Sequence, residues 1–133
     1  MKRVPSVAAA GLSTAFALLA SATSARAEPL TMDDFKSATT AGIVKLCAAP
    51  QSDPLHQAAV GYCVGYLTGA FHYYKAVEGA PGQPKLVCFR TAEPSRREEI
   101  ENFVSWATAH PEYASGLAVD SMFRYLGEVH PCP

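Results

Sequence analysis

Charged side chains are scarce in this chain of 133 residues, of which only 17% are Asp, Glu, Lys or Arg. Lys2, Arg3 and Arg26 all lie before residue 28, which leaves 8 basic and 12 acidic residues in the remainder, a formal charge of −4. Nucleic acids and anionic membrane surfaces attract proteins with a basic patch or a basic excess. The composition therefore predicts neither as a partner.

The motifs of common enzymes and metal sites are also missing. Successive cysteines are 16, 25 and 44 residues apart, so there is no C-x-x-C pair, and the four histidines show no H-x-x-x-H or H-E-x-x-H spacing. The chain has no G-x-S-x-G elbow, glycine-rich phosphate loop or dinucleotide fingerprint. We predict no metal, no cofactor and no catalysis. An enzyme with an unrecognised site, in which a pocket holds His72 beside a carboxylate, is kept as an alternative.

No alternating apolar run is long enough to predict a sheet, whereas apolar residues recur with helical spacing. The sequence predicts an all-α, disulfide-stapled bundle with helices over 31–47, 54–77, 95–109 and 111–130. Gly42 and β-branched neighbours weaken the first helix, which can split to give five helices in all. The second starts at Asp53-Pro54, the third is capped by Ser95, and the fourth opens at Pro111.

The N-terminal segment has the three parts of an export signal. Lys2 and Arg3 form a basic start, residues 7–20 are almost wholly apolar or small, and residues 25–27 read A-x-A. An apolar run of about 14 residues is shorter than the roughly 20 that a membrane-spanning helix needs. We expect a signal peptide over 1–27, one domain over 28–133 and a periplasmic location, with an uncleaved anchor as the alternative.

All four cysteines lie downstream of that leader: Cys47, Cys63, Cys88 and Cys132. An even count in an exported chain predicts two disulfides. If the second helix starts at Pro54, Cys63 lies about 13.5 Å along its axis, whereas bridged Cα atoms must be within roughly 7 Å. A bridge from Cys47 to Cys63 would then be strained unless that helix starts late. The favoured pairs are Cys63 with Cys88 and Cys47 with Cys132, although four cysteines leave three connectivities open.

The order of several short elements resembles the Rap/Tai family, periplasmic immunity proteins that neutralise type VI secretion amidase effectors. These elements are Leu46-Cys47, Cys63-Val64-Gly65-Tyr66 with Gly69, Cys88, His110-Pro111-Glu112 and Pro131-Cys132. The resemblance implies a small helical bundle that binds and blocks a peptidoglycan-cleaving amidase without catalysis of its own. The chain departs from the family at Arg90, where a proline is common.

The loop between the second and third helices is the favoured contact segment for a partner. It spans Pro81 to Pro94, and its length is typical of a loop that is functional or tied down. We predict Lys85, Phe89 and Arg90 as partner-binding residues. An alternative function is a small periplasmic stress protein or acid-activated chaperone, triggered by protonation of the 12 acidic residues.

Gly65 and Gly69 stand four residues apart, on one side of the predicted second helix. Missing side chains let another helix approach closely. We expect a packing groove for a helix of the same chain, and the same face is suited to a homodimer.

Overall fold

The computed structural model describes residues 28–90 and 94–133, so the predicted signal peptide lies outside the described residues. The described part contains four α-helices and no β-strand. The helices are α1 (Thr40–Cys47), α2 (His56–Val77), α3 (Arg96–Ala109) and α4 (Ala118–Val129), with 3-10 helices at Asp34–Lys36 and Pro111–Tyr113. Together with the two disulfides, this arrangement confirms the predicted all-α, disulfide-stapled bundle.

The first predicted helix is split, because a short 3-10 helix forms before α1 and α1 has a cap of its own. The backbone N–H of Thr31 donates to the Asp34 carboxylate at 2.7 Å, beside the start of the 3-10 helix. Thr39 then caps α1 by accepting from the Gly42 N–H at 3.2 Å. The chain doubles back so tightly between them that a Cβ atom on Gly42 would lie 2.2 Å from the Ser37 hydroxyl oxygen. Gly42 weakens the helix, but the close approach of Ser37 requires it.

The fourth helix starts later than predicted, at Ala118 instead of Pro111. Only the 3-10 helix forms at Pro111, because the connector after it bonds to the start of α1. The carbonyls of Ala114 and Gly116 accept the N–H groups of Ala41 and Thr40 at 2.9 and 2.8 Å. These are first-turn N–H groups, which have no partner within their own helix. An α-helix over 114–117 would use those carbonyls for itself.

The core lies between all four helices, and the short α1 packs against each of the others. Its members are Ile43, Leu46, Ala59, Cys63, Leu67, Phe103, Ala107, Ala118, Met122, Tyr125 and Leu126, with Leu30, Ala49, Tyr74 and Val87 from the periphery. Ile43 and Leu46 are completely buried. Burial of one such side chain contributes about 1.5–3 kcal/mol. Thr40 and Ser121, which are polar and buried, share a hydrogen bond of 2.7 Å that joins α1 to α4.

The favoured disulfide pairing is wrong. The bridges are Cys47–Cys63 and Cys88–Cys132, with Cα atoms 5.1 and 4.8 Å apart. The late start of α2, at His56, shortens the distance along its axis to Cys63 to seven residues, about 10.5 Å, and the turns before α2 bring Cys47 the rest of the way. The turns before α2 also run back along it, since His56 Nδ1 bonds the carbonyl of Ala49 at 2.8 Å and Ala49 is buried.

The predicted packing groove at Gly65 and Gly69 is also wrong. Both glycines, together with Gly61 one turn earlier, lie on the exposed side of α2. A Cβ atom built on any of the three would have no heavy atom of another element within 4 Å. The opposite side of α2, with Ala59, Cys63 and Leu67, faces the core instead.

Tryptic digestion of the oxidised protein without reduction distinguishes the two pairings. Cys47 and Cys63 fall in one tryptic peptide, 46–75, whereas Cys88 and Cys132 fall in 86–90 and 125–133. The observed bridges predict peptide 46–75 with an internal disulfide and a separate conjugate of 86–90 with 125–133. A single conjugate of all three peptides in the mass spectrum would contradict the observed bridges.

Candidate partner-binding site

The segment between α2 and α3 lacks regular secondary structure over residues 83–90, the anchored segment. It leaves α2 at Val77 through two turns, in which Ala80 N–H donates to the Val77 carbonyl and Gln83 N–H to the Ala80 carbonyl. Gly82 has a φ of 79°, a left-handed conformation that glycine adopts without strain. The following backbone N–H groups therefore need partners outside the segment.

Tyr74 supplies the first anchor. Its hydroxyl oxygen accepts the N–H of Leu86 at 2.8 Å and that of Val87 at 3.1 Å. Tyr74 and the Val87 side chain are both buried, so this anchor lies at the edge of the core. A hydroxyl has two acceptor lone pairs, which is enough for both donors.

The C-terminus supplies the second anchor. Cys88 is bridged to Cys132, and its N–H donates to the His130 carbonyl at 2.8 Å. The Phe89 ring lies against the His130 ring, with centroids 4.4 Å apart. His130 Nε2 lies 3.3 Å from a carboxylate oxygen of Glu99 on α3. His130 thus links the segment to α3 as well as to the chain terminus.

The three predicted partner-binding residues lie in different environments along this segment. Lys85 and Arg90 are exposed, and between them Leu86 keeps 45% of its surface exposed. Phe89 is half-buried, since its ring packs on His130 and on Phe71, where the centroids are 6.1 Å apart. The exposed surface of the segment therefore includes two basic side chains around an apolar one, while Phe89 supports it from beneath.

An acidic residue at the end of α2 faces the same segment. The pKa of Glu78 is lowered, chiefly by the hydrogen bond that Lys75 donates to it and also by the nearby charge of Lys85. Glu78 is therefore ionised at neutral pH. Its carboxylate places a negative charge near the exposed Lys85.

A cavity of about 340 Å³ opens between α2, α3 and α4, beside the anchored segment. Its lining includes both His72 and Glu99, the kind of pair that the enzyme alternative requires. Glu99 is nevertheless hydrogen-bonded to His130 and to the Tyr125 hydroxyl. The pKa of Tyr125 is raised, chiefly by burial and then by this bond to Glu99. In the described part of the chain no hydrogen bond joins His72 to Glu99, so the pair is not arranged as a catalytic base with its orienting group.

Within residues 28–90 and 94–133, no group of three or more His, Cys, Asp or Glu side chains is arranged to hold a metal ion. None of the helices described there is both long enough and apolar enough to cross a membrane.

Comparison with known families decides the relationship. The sequence model of the Rap1a immunity proteins matches residues 39–132, which is 94 of the 133 residues. The chain belongs to the Rap1a immunity protein family. The match takes in α1 to α4, both disulfides and the anchored segment, and it confirms the resemblance that the cysteine and proline elements indicated. Comparison with curated proteins and with solved structures finds no match.

Sequence reasoning did not assign the anchoring roles of Tyr74 and His130. Tyr74 lies within the predicted second helix and His130 at the end of the predicted fourth helix, and the structure confirms both placements. The two bonds to Tyr74 span 12 and 13 residues, and the bond from Cys88 to His130 spans the whole of α3 and α4. Helical periodicity carries no signal for contacts of this kind.

Removal of the Tyr74 hydroxyl tests the first anchor. Tyr74→Phe leaves the N–H groups of Leu86 and Val87 without their acceptor, and an unsatisfied buried donor costs about 1–3 kcal/mol. We expect that loss in urea unfolding, together with faster tryptic cleavage after Lys85. Tyr73→Phe is the matched control, because Tyr73 is 73% exposed and its change should cost less than about 0.5 kcal/mol. Equal behaviour of the two variants would show that the hydroxyl does not hold the segment.

Proposed function

We propose that this immunity protein acts in the periplasm, where it binds and neutralises a peptidoglycan amidase effector of a type VI secretion system and does so without catalysis. Its membership of the Rap1a immunity family carries the proposal. The amidase as target comes from the resemblance of its cysteine and proline elements to the Rap/Tai proteins.

The periplasmic location is supported by the cysteines and by the leader sequence. All four cysteines are in disulfides, which form and persist in oxidising compartments. The sequence before residue 28 has the basic start, apolar stretch and A-x-A site of an export signal. A cell-wall amidase would also act in this compartment.

The anchored segment is suited to inhibition because it is already held in shape. Ordering a flexible loop on binding costs free energy, which reduces affinity. Here Val87, Cys88 and Phe89 are fixed by the core, by a disulfide and by the His130 ring. Lys85, Leu86 and Arg90 are thus presented on a backbone with little freedom left to lose.

Charge reversal on this segment tests the proposal. In an assay of the cognate amidase, the oxidised protein over 28–133 should inhibit cleavage of peptidoglycan at near-equimolar concentration. We expect Lys85→Glu with Arg90→Glu to weaken inhibition at least about tenfold, as the loss of a central contact does.

The matched control for that assay is Lys36→Glu. Lys36 is also exposed and basic, but it lies on the N-terminal 3-10 helix and, among the described residues, forms an ion pair only with Asp33, three residues earlier. This variant should inhibit like the unmodified protein. Equal weakening by both changes would argue for a general charge effect, and no inhibition of any amidase effector would contradict the proposed function.

We also propose that two copies of the chain pair through the exposed side of α2. Gly61, Gly65 and Gly69 lie there with Tyr62, and the only Asp, Glu, Lys or Arg in the 22 residues of α2 is Lys75. Each glycine weakens an exposed helix by about 1 kcal/mol relative to alanine. A surface without charges can pair with a copy of itself without like-charge repulsion, and a two-fold interface brings the same patch of both copies together.

Sedimentation over a concentration series tests the pairing. The unmodified protein should sediment as a dimer, and Gly65→Glu as a monomer, since the new side chain is bulky and charged. The same change removes a helix-weakening glycine, so the folded monomer should not lose stability. Ser105→Glu, on the exposed side of α3, should remain dimeric. A monomeric unmodified protein at every concentration would contradict the pairing.

A further inference from the structure

The cavity between α2, α3 and α4 has a size suited to a small ligand. Its volume is about 340 Å³. One water molecule has a share of about 30 Å³ in the liquid, so the cavity has room for roughly ten non-hydrogen atoms. Ligand sites in proteins start at about 300 Å³. The space is therefore comparable with a short acyl chain and its head group.

The lining of the cavity is mostly apolar. Among the side chains that border it are Leu67, Phe71, Ile100, Phe103, Met122 and Leu126. Several of these belong to the core, so the cavity reaches inward from the surface to the packed interior. Water in such a place makes few hydrogen bonds, and an apolar chain that displaces it gains free energy.

Arg96 gives the cavity a positive group. It is the first residue of α3, is exposed and contributes to the lining. Among the described residues its guanidinium has no ion pair or hydrogen bond. Arg97 differs in this respect, because its side chain bonds the Glu101 carboxylate at 3.1 Å. A guanidinium group binds a carboxylate with two parallel hydrogen bonds.

The acidic residue of the lining is already engaged. Both carboxylate oxygens of Glu99 lie within 3.4 Å of His130 Nε2, and the Tyr125 hydroxyl also bonds this carboxylate. Its hydrogen-bonding capacity is therefore directed at the protein. Arg96 is the charged lining residue that is left to meet a ligand.

We propose that this cavity binds an amphipathic carboxylate with a short acyl chain. The chain lies among the apolar side chains and the carboxylate meets Arg96 at the mouth. The site is distinct from the exposed surface of Lys85, Leu86 and Arg90. Its test uses the protein alone, so failure here leaves the proposed immunity function untouched.

Three ligands with the same chain separate the contribution of the carboxylate from that of the apolar chain. Octanoate, octanol and octylammonium are titrated into the oxidised protein over 28–133, with methyl resonances followed by NMR. We expect saturable binding of octanoate with shifts at Leu67, Ile100 and Met122, and binding of octylammonium at least about tenfold weaker, because a cation meets Arg96 unfavourably. Absence of saturation, shifts confined to other methyl groups, or binding of octylammonium as tight as that of octanoate would overturn the proposal.

Two neighbouring arginines provide a matched pair of variants. Arg96→Gln should weaken octanoate binding about tenfold, in line with the loss of a charged hydrogen bond, and leave octanol binding unchanged. Arg97→Gln should leave both unchanged. Both side chains are exposed, so both variants should fold, which circular dichroism checks. Equal effects of the two variants on octanoate binding would overturn the role of Arg96.

Discussion

Much of this structure depends on one requirement, which is that the backbone N–H groups of an irregular segment need hydrogen-bond acceptors. Residues 83–90 have no helix or strand to pair their N–H groups, yet the Val87 side chain is buried. The Tyr74 hydroxyl and the His130 carbonyl supply the missing acceptors for Leu86, Val87 and Cys88. Both acceptors stand on helices or at their ends, so the bundle positions the segment. Because these hydrogen bonds fix the backbone of the segment, they also determine which of its side chains are exposed.

The bundle can position this segment because two disulfides join distant parts of the chain covalently. In the chain-entropy model, disulfides that close loops of 16 and 44 residues stabilise the fold by about 3 and 4 kcal/mol. Small domains have a net stability of about 5–15 kcal/mol, so both bridges matter. Cys47–Cys63 fixes α1 against α2 within the core. Cys88–Cys132 fixes the segment to the C-terminus.

Local sequence signals predicted the local parts of this fold. Ser95 caps α3 by accepting the Glu98 N–H, the weak first helix splits, and α2 ends at Val77 as expected. Contacts between distant parts were not predictable in the same way. The start of α4 depends on carbonyls that bond α1, and the disulfide pairing depends on the path of the turns before α2. Helical spacing identified the Gly65 side of α2, but spacing alone does not tell which side of a helix is covered.

Hydrogen–deuterium exchange of the oxidised protein, alone and with an amidase effector that it inhibits, tests the central claim most directly. Peptides that cover 79–90 report on the anchored segment, and those from α3 and the N-terminal 3-10 helix serve as internal references. If the protein neutralises its effector through this segment, a stable complex forms and exchange slows most over 79–90. A complex that protects other surfaces and leaves 79–90 unchanged would contradict the account.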